Sequence, residues 1–194
     1  MVVTSHLYDG VKSRPLDVEL YQHASSLAGG KADPSFMKKP ELALKLVEKC
    51  LELGLRPGVV LVDAGYGNNS KFLKQLESKK LKYVAGLAKN RKVIYHLETH
   101  EKKVETRLDE LAKRLQAQAF TAIQLDLEAP RTVWVATVEV EMSAFLGTRT
   151  IAIVMKAASL CEATEVDYLI TNAAVTQATG TWIITTYSGV AEYR

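Results

Sequence analysis

The stretch Gly58-Val-Val-Leu-Val-Asp-Ala-Gly-Tyr-Gly67 decides the fold class of this 194-residue chain. Its first half is a continuous apolar run, which is typical of a strand buried on both faces of a sheet. The run ends at Asp63 in a glycine-rich turn, after which Asn68 or Asn69 caps a helix. A second short strand follows over residues 82–87. Because strands joined through a helix pair in parallel, this stretch predicts an α/β fold.

The residues before this stretch predict a hairpin and a helix. Two alternating runs flank Asp9-Gly10, a dipeptide that favours a tight β-turn. Residues 22–39 are polar and predict a loop. Pro40 then opens an amphipathic helix that ends near Leu53, with Gly54 as its stop signal.

The residues after Lys92 predict a different, β-rich architecture. An amphipathic helix is expected where apolar residues recur three or four positions apart, at Val104, Leu108, Leu111 and Leu115. Three strands are then expected over residues 120–127, 133–140 and 148–154. A strand over residues 168–171 and a helix from about Gln177 to the last residue complete the chain.

These elements suggest three parts along the chain. Residues 1–92 form an α/β part, and residues 93–160 form a mostly antiparallel insertion packed on it. Residues 161–194 supply a return strand and the C-terminal helix.

Composition excludes several classes of protein and reveals a basic segment. Hydrophobic residues make up 47% of the chain, which excludes disorder, and no apolar run approaches the roughly 20 residues that span a bilayer. The formal net charge is only +3, but residues 71–92 hold eight basic residues against one acid, Glu77. Such a segment is either a solvated helix face or a contact for the phosphate backbone of DNA.

Asp63 is the main candidate for chemistry. It follows a strand at the carboxyl end, where open α/β sheets place their ligands, and Gly65 and Gly67 leave room beside its carboxylate. The alternative is that Asp63 only accepts hydrogen bonds from the turn and the next helix. The glycine-rich turn also resembles nucleotide- or S-adenosylmethionine-binding folds, but no acidic residue follows the next strand to bind a ribose.

Four blocks in order carry a resemblance to a known family: Ser13–Tyr21, Lys39–Leu44, Val62–Gly67 and Tyr83–Leu87. Together they resemble bacterial insertion-sequence transposases of the DDE type, in the group with a β-rich insertion before the last acidic residue. The resemblance runs from the first hairpin to Tyr187. It implies an RNase H-like fold, which is a mixed sheet flanked by helices.

The resemblance also implies a metal site and a DNA partner. In the family two aspartates and one glutamate hold two divalent ions, normally Mg²⁺, for cleavage and strand transfer at a phosphodiester. Asp63 matches the second aspartate and is the expected catalytic residue and metal ligand. The residues expected to contact transposon-end or target DNA are Lys71, Lys74, Lys79, Lys80, Lys89, Arg91 and Lys92. A homo-oligomer, or association with an intact transposase, is expected in the bacterial cytoplasm or nucleoid.

Two departures from the family pattern change the functional expectation. The first aspartate belongs on a strand upstream of the hairpin, and this chain begins inside the following strand. The last motif is Tyr, two residues, Arg, three residues, Glu; after Tyr187 this chain has Val190 and Arg194 at those places. We therefore expect a chain incomplete at both ends that does not cleave DNA alone. The alternative is a non-catalytic DNA-binding or interfering module.

Overall fold

The computed structural model describes residues 1–10, 12–97, 102–125, 131–157, 159–160 and 165–191. Its contacts divide the chain into a small unit over Met1–Gly58 and a larger one that begins at Val59.

The small unit is a hairpin and a helix, as the sequence predicts. Strands β1 (Val2–Tyr8) and β2 (Ser13–Leu20) pair antiparallel in a sheet of their own. Two short 3₁₀ turns follow, and helix α1 runs over Lys39–Glu52. Gly54 has a φ of +82°, a left-handed conformation that suits glycine at a helix end.

The hairpin turns its charged residues towards α1. Lys49 Nζ donates to Asp17 Oδ2 at 2.9 Å and to Glu19 Oε1 at 2.6 Å. These hydrogen bonds hold the pKa of both carboxyl groups below their usual range. The alternate residues Val18 and Leu20 are exposed.

The larger unit contains eight strands and four helices in its described part. The strands are β3 (Val60–Val62), β4 (Tyr83–Leu87), β5 (Lys92–Leu97), β6 (Lys102–Arg107), β7 (Thr121–Leu125), β8 (Arg131–Glu141), β9 (Thr148–Lys156) and β10 (Glu165–Thr171). The helices are α2 (Ala64–Gly67), α3 (Ser70–Ser78), α4 (Leu108–Arg114) and α5 (Gly180–Ala191).

All eight strands join one mixed sheet. The order is β3-β4-β10-β9-β8-β5-β6, with β7 also paired to β8. Strands β3 and β4 are parallel, with Val62 opposite Ala85, and the other pairs are antiparallel. Strands from residues 93–160 therefore continue the same sheet as β3, β4 and β10. The three-part division at residues 92 and 160 stays a prediction.

Helices cover both faces of the sheet. On one face α5 packs through Ile183 and Ile184 on a buried apolar cluster that includes Val84 of β4. Tyr83, the neighbour of Val84, points to the opposite face, since successive side chains of a strand alternate. There its hydroxyl donates to Glu77 of α3 at 2.9 Å. The α/β fold class, a mixed sheet flanked by helices, is confirmed.

Three local predictions are wrong. Strand β3 is half-buried and not fully buried, because among the described residues β4 is its single neighbouring strand. Val104 was predicted in the amphipathic helix, but it lies in strand β6, where the burial of Thr106 fits the two-residue alternation of a strand. The helix itself begins at Leu108. The third wrong prediction is the absence of a strand directly after β4, where the structure has β5. The C-terminal helix also continues through Gly189 to Ala191, although glycine disfavours a helix interior.

Candidate functional site

Asp63 lies directly after β3, at the edge where the parallel strands β3 and β4 both end. Its Oδ1 accepts hydrogen bonds from the backbone N–H of Gly65 at 2.9 Å and of Tyr66 at 3.4 Å. Asp63 is therefore the N-cap of α2, and the capping alternative describes the geometry correctly. Its catalytic role stays a prediction.

Gly65 and Gly67, the two glycines after Asp63, are required for different reasons. A Cβ on Gly67 would lie 2.0 Å from the carbonyl oxygen of Gly86, and a Cβ on Gly86 would lie 2.7 Å from the nitrogen of Ala64. These glycines let α2 approach β4, so Gly67 serves packing and not ligand access. A Cβ on Gly65 would lie 3.0 Å from Asp63 Oδ1, so this glycine does leave space beside the carboxylate.

Asn68 and Asn69 also have separate roles. Asn69 caps α3, since its side-chain oxygen accepts from Phe72 N at 3.1 Å. Asn68 joins α2 to the end of β4: its Oδ1 accepts from Ala88 N at 2.9 Å, and its Nδ2 donates to Ala64 O at 2.6 Å. The positions of α2 and β4 relative to Asp63 are thus fixed by both packing and hydrogen bonds.

Helix α5 brings Tyr187 to the same edge. The Tyr187 hydroxyl lies 3.5 Å from the carbonyl oxygen of Val62, the residue before Asp63. Residues 180–188, the part of α5 whose side chains are described, contain no acidic residue. The described side chains of this helix therefore supply no carboxylate beside Asp63.

The described residues do not fit a site for two metal ions. Nowhere in the described ranges do three His, Cys, Asp or Glu side chains converge on one point. Asp167, on a strand two positions from β3, has its carboxylate bound to Lys156 Nζ at 2.6 Å. One carboxylate cannot hold two ions about 3.5–4 Å apart, the spacing of two-metal sites.

The basic segment is divided between two ends of α3. Lys71 lies in the first turn, where Arg91 donates to Asn68 O at 3.3 Å and to the Ser70 hydroxyl. This is also the carboxyl end of β4, at the same edge of the sheet as Asp63, and Lys89 lies two residues beyond that strand. Lys79 and Lys80 lie beyond the last turn of α3. At 1.5 Å per residue, Lys79 is about 12 Å from Lys71 along the helix axis. The sequence count of basic residues did not reveal this division.

Most of these positive charges have no acidic partner in the described ranges. Glu77, the acid of the segment, is bound by Arg149 at 3.0 and 2.8 Å. Lys92 pairs with Glu105 at 2.8 Å, and Arg91 donates to uncharged oxygens. The ammonium groups without a hydrogen bond or ion pair to described residues are those of Lys71, Lys74, Lys80 and Lys89. The surface around α3 is thus electropositive and attracts anions.

A mixed sheet flanked by helices, with an aspartate directly after its edge strand, is consistent with the RNase H-like fold of DDE nucleases. The chain belongs to the DDE superfamily endonucleases, since the model of that family matches residues 2–142. The match includes Asp63 and the basic segment and ends before Tyr187. Nucleases of this superfamily act on DNA and generally use divalent metal ions.

Two other findings complete the comparison. No curated protein matches the sequence. Among the described helices, none is both long enough and apolar enough to cross a bilayer.

Proposed function

We propose that this chain derives from a bacterial insertion-sequence transposase of the DDE type. The observation that carries the proposal is the position of Asp63, at the carboxyl end of β3 and inside the family match. Tyr187 of α5 gives further support, because the transposase resemblance expects a tyrosine on the helix that follows the last strand. In this proposal Asp63 is the second acidic residue and one oxygen ligand for Mg²⁺.

The proposed activity of these residues alone is limited. The described residues supply one carboxylate at the edge of β3, so the remaining metal ligands must come from residues outside the described ranges or from another polypeptide. We propose that they come from another polypeptide, so that the chain by itself does not cleave or join DNA. Among the described residues β3 has β4 as its single neighbouring strand, which leaves an edge for association with an intact transposase or a second copy.

DNA is the proposed partner, and Lys71, Lys89 and Arg91 are the proposed contacts beside Asp63. Their charges are not compensated by described acids, so each can neutralise a backbone phosphate and release its counterion. Lys74 lies on the exposed face of α3 and extends this contact. Lys79 and Lys80 serve as a second, more distant contact, and Lys92 contributes less because Glu105 neutralises it.

Neutralising the contact beside Asp63 is expected to weaken DNA binding more than neutralising the distant contact. We expect Lys71→Gln with Lys89→Gln to reduce duplex affinity about tenfold and to lower the slope of log K against log salt by about 2. Fluorescence anisotropy with a labelled duplex at several salt concentrations measures both quantities.

The matched control is Lys79→Gln with Lys80→Gln, which removes the same two charges at the other end of α3. The proposal requires a smaller loss of affinity for this control. An equal or larger loss would place the DNA at the wrong end of α3, and no loss in either variant would remove DNA as a partner.

The second candidate function is a non-catalytic DNA-binding module that interferes with an intact transposase. The observation that favours it is the combination of an electropositive surface with a single carboxylate. Adding the chain to a transposition assay with the intact enzyme tests it, since interference predicts inhibition that Lys71→Gln with Lys89→Gln relieves.

A small-molecule enzyme with a glycine-rich cofactor turn is the third candidate. Gly67 has a packing role, so of the two glycines in the turn only Gly65 leaves space for a cofactor. Calorimetric titration with S-adenosylmethionine and nucleotides would reveal such a cofactor.

A further inference from the structure

A polar cavity of about 500 Å³ lies beside the end of β4. One wall is the turn Ala88–Lys92, and the other is the segment Met142–Ala144 that follows β8. Asn68, five residues after Asp63, also lines it. Asp63 is the N-cap of α2 and Asn68 is its C-cap, so the cavity lies at the opposite end of this short helix from Asp63. Its volume falls in the range of small-ligand sites, about 300–1,000 Å³.

The turn that forms one wall is held in place by its neighbours. Arg91 N donates to Ala88 O at 3.0 Å, which closes a tight turn. The first residues of α4 fasten it, because Leu108 N donates to Arg91 O at 3.0 Å and Asp109 N donates to Lys89 O at 2.9 Å. A wall with these bonds is arranged before any ligand arrives, which lowers the entropic cost of binding.

The charge of the cavity comes from Arg91. Its guanidinium donates to the carbonyl oxygen of Asn68 and to the hydroxyl of Ser70, which are both neutral. A guanidinium has five N–H donors, so further donors stay available for a ligand. Lys92 also lines the cavity, but Glu105 compensates its charge at 2.8 Å. The wall therefore keeps one net positive charge, which matches one phosphodiester.

The remaining lining combines hydrogen-bond donors with an apolar surface. Asn90 and Ser143 line the cavity, and the side chain of neither makes a hydrogen bond to another described residue. Met142 and Ala144 provide the apolar part. A phosphate group alone would fill a fraction of the volume, so the cavity has room for a sugar next to the phosphate.

We propose that this cavity binds one nucleotide of a DNA strand. The phosphate accepts hydrogen bonds from Arg91, Asn90 and Ser143, and the sugar packs on Met142 and Ala144. This inference rests on the proposed DNA partner and deepens it, since it assigns a specific nucleotide site at the far end of the helix that Asp63 caps. It differs from the exposed lysine contact of α3, which follows the backbone of a duplex.

Binding is tested by NMR titration of the ¹⁵N-labelled chain with the dinucleotide TpT, which carries a single phosphodiester. We expect saturable shifts of the amide signals of Ala88, Asn90, Arg91, Ser143 and Ala144. Thymidine, which lacks the phosphate, is expected to cause no saturable shift, and inorganic phosphate to bind several-fold more weakly than TpT. No saturable shift with TpT would overturn the proposal, and so would an equal affinity for inorganic phosphate or for thymidine.

Two variants test where TpT binds. Asn90→Ala with Ser143→Ala removes two donors that bond to no other described residue, and we expect it to raise the Kd for TpT about tenfold. Lys31→Gln, an exposed change of charge in the small unit, is the control and should leave this Kd unchanged. An unchanged Kd in the double variant would contradict the site.

Failure of this inference is distinguishable from failure of the proposed function. If duplex binding depends on Lys71 and Lys89 while TpT does not bind, the nucleotide site alone is wrong. If TpT binds while duplex DNA does not, the cavity stands and the proposed duplex contact is wrong.

Discussion

Replacing Gly67 with alanine is expected to lower the free energy of unfolding of the larger unit by about 3 kcal/mol, at the high end of the cost of overpacking. The new Cβ would lie 2.0 Å from the carbonyl oxygen of Gly86 and 3.0 Å from the Cβ of Ala85. Both neighbours belong to β4, a fully buried strand that cannot yield easily. Helix α2 must therefore move away from β4 and carry Asp63 with it.

Urea unfolding monitored by tryptophan fluorescence measures this effect. Both tryptophans, Trp134 and Trp182, lie in the larger unit, so the signal reports the part that contains Asp63. Lys74→Ala is the control, because Lys74 lies exposed on α3 in the same unit, and we expect a change within about 0.5 kcal/mol. A Gly67→Ala variant as stable as this control would show that α2 does not need its close approach to β4.

Removing the Arg149 guanidinium is the second change with a large expected effect. Its side chain is 12% exposed, and it binds both oxygens of Glu77 while lying 5.1 Å from the ring of Phe145. Arg149→Met leaves the Glu77 carboxylate half-buried without its cation. We expect a loss of about 3 kcal/mol, since breaking one partner of a buried pair costs this order of energy.

Tyr83 makes this ion pair part of a larger network. Burial, together with the negative charge of Glu77, raises the pKa of the Tyr83 hydroxyl, which therefore remains a hydrogen-bond donor to Glu77. A double-mutant cycle with Glu77→Gln, by urea unfolding, should give a coupling energy of about 1–3 kcal/mol. Lys113→Met, in the exposed pair with Glu110, is the control and should leave the midpoint nearly unchanged. Additive effects of the two single variants would contradict the coupling.

Sequence patterns predicted the elements that depend on neighbouring residues. The hairpin at Asp9-Gly10 and the parallel pair β3 and β4 both follow from signals within a few positions. The cap of α3 was predicted at Asn68 or Asn69, and the structure places it at Asn69. The carboxyl-end position of Asp63 follows from the same signals.

Contacts between distant residues were beyond those patterns. Arg149 and Glu77 are 72 positions apart, so nothing in the local sequence indicated that they pair. The contact between Gly67 and Gly86 links two blocks that looked independent. Strand β5 was not predicted, because its partner β6 was interpreted as part of a helix. The spacing of Val104 and Leu108 also fits a helical period.

The arrangement of the candidate site also depends on contacts between distant residues. The basic residues of 71–92 form one segment in the sequence, but α3 separates Lys71 from Lys79 by about 12 Å. The cavity beside Asn90 combines this segment with Met142–Ala144, which lies about 50 residues further along the chain. Such combinations depend on the sheet order, which the sequence did not reveal.

The proposal that Asp63 occupies a catalytic position without a complete metal site is tested most directly by a plasmid-nicking assay. Supercoiled plasmid carrying candidate transposon ends is incubated with the chain and Mg²⁺, and Asp63→Asn serves as the reference because asparagine still caps α2. We expect no nicking by the original chain above the rate with Asp63→Asn. Robust Mg²⁺-dependent nicking that is lost in Asp63→Asn would contradict this, since it would show that a complete metal site forms around Asp63.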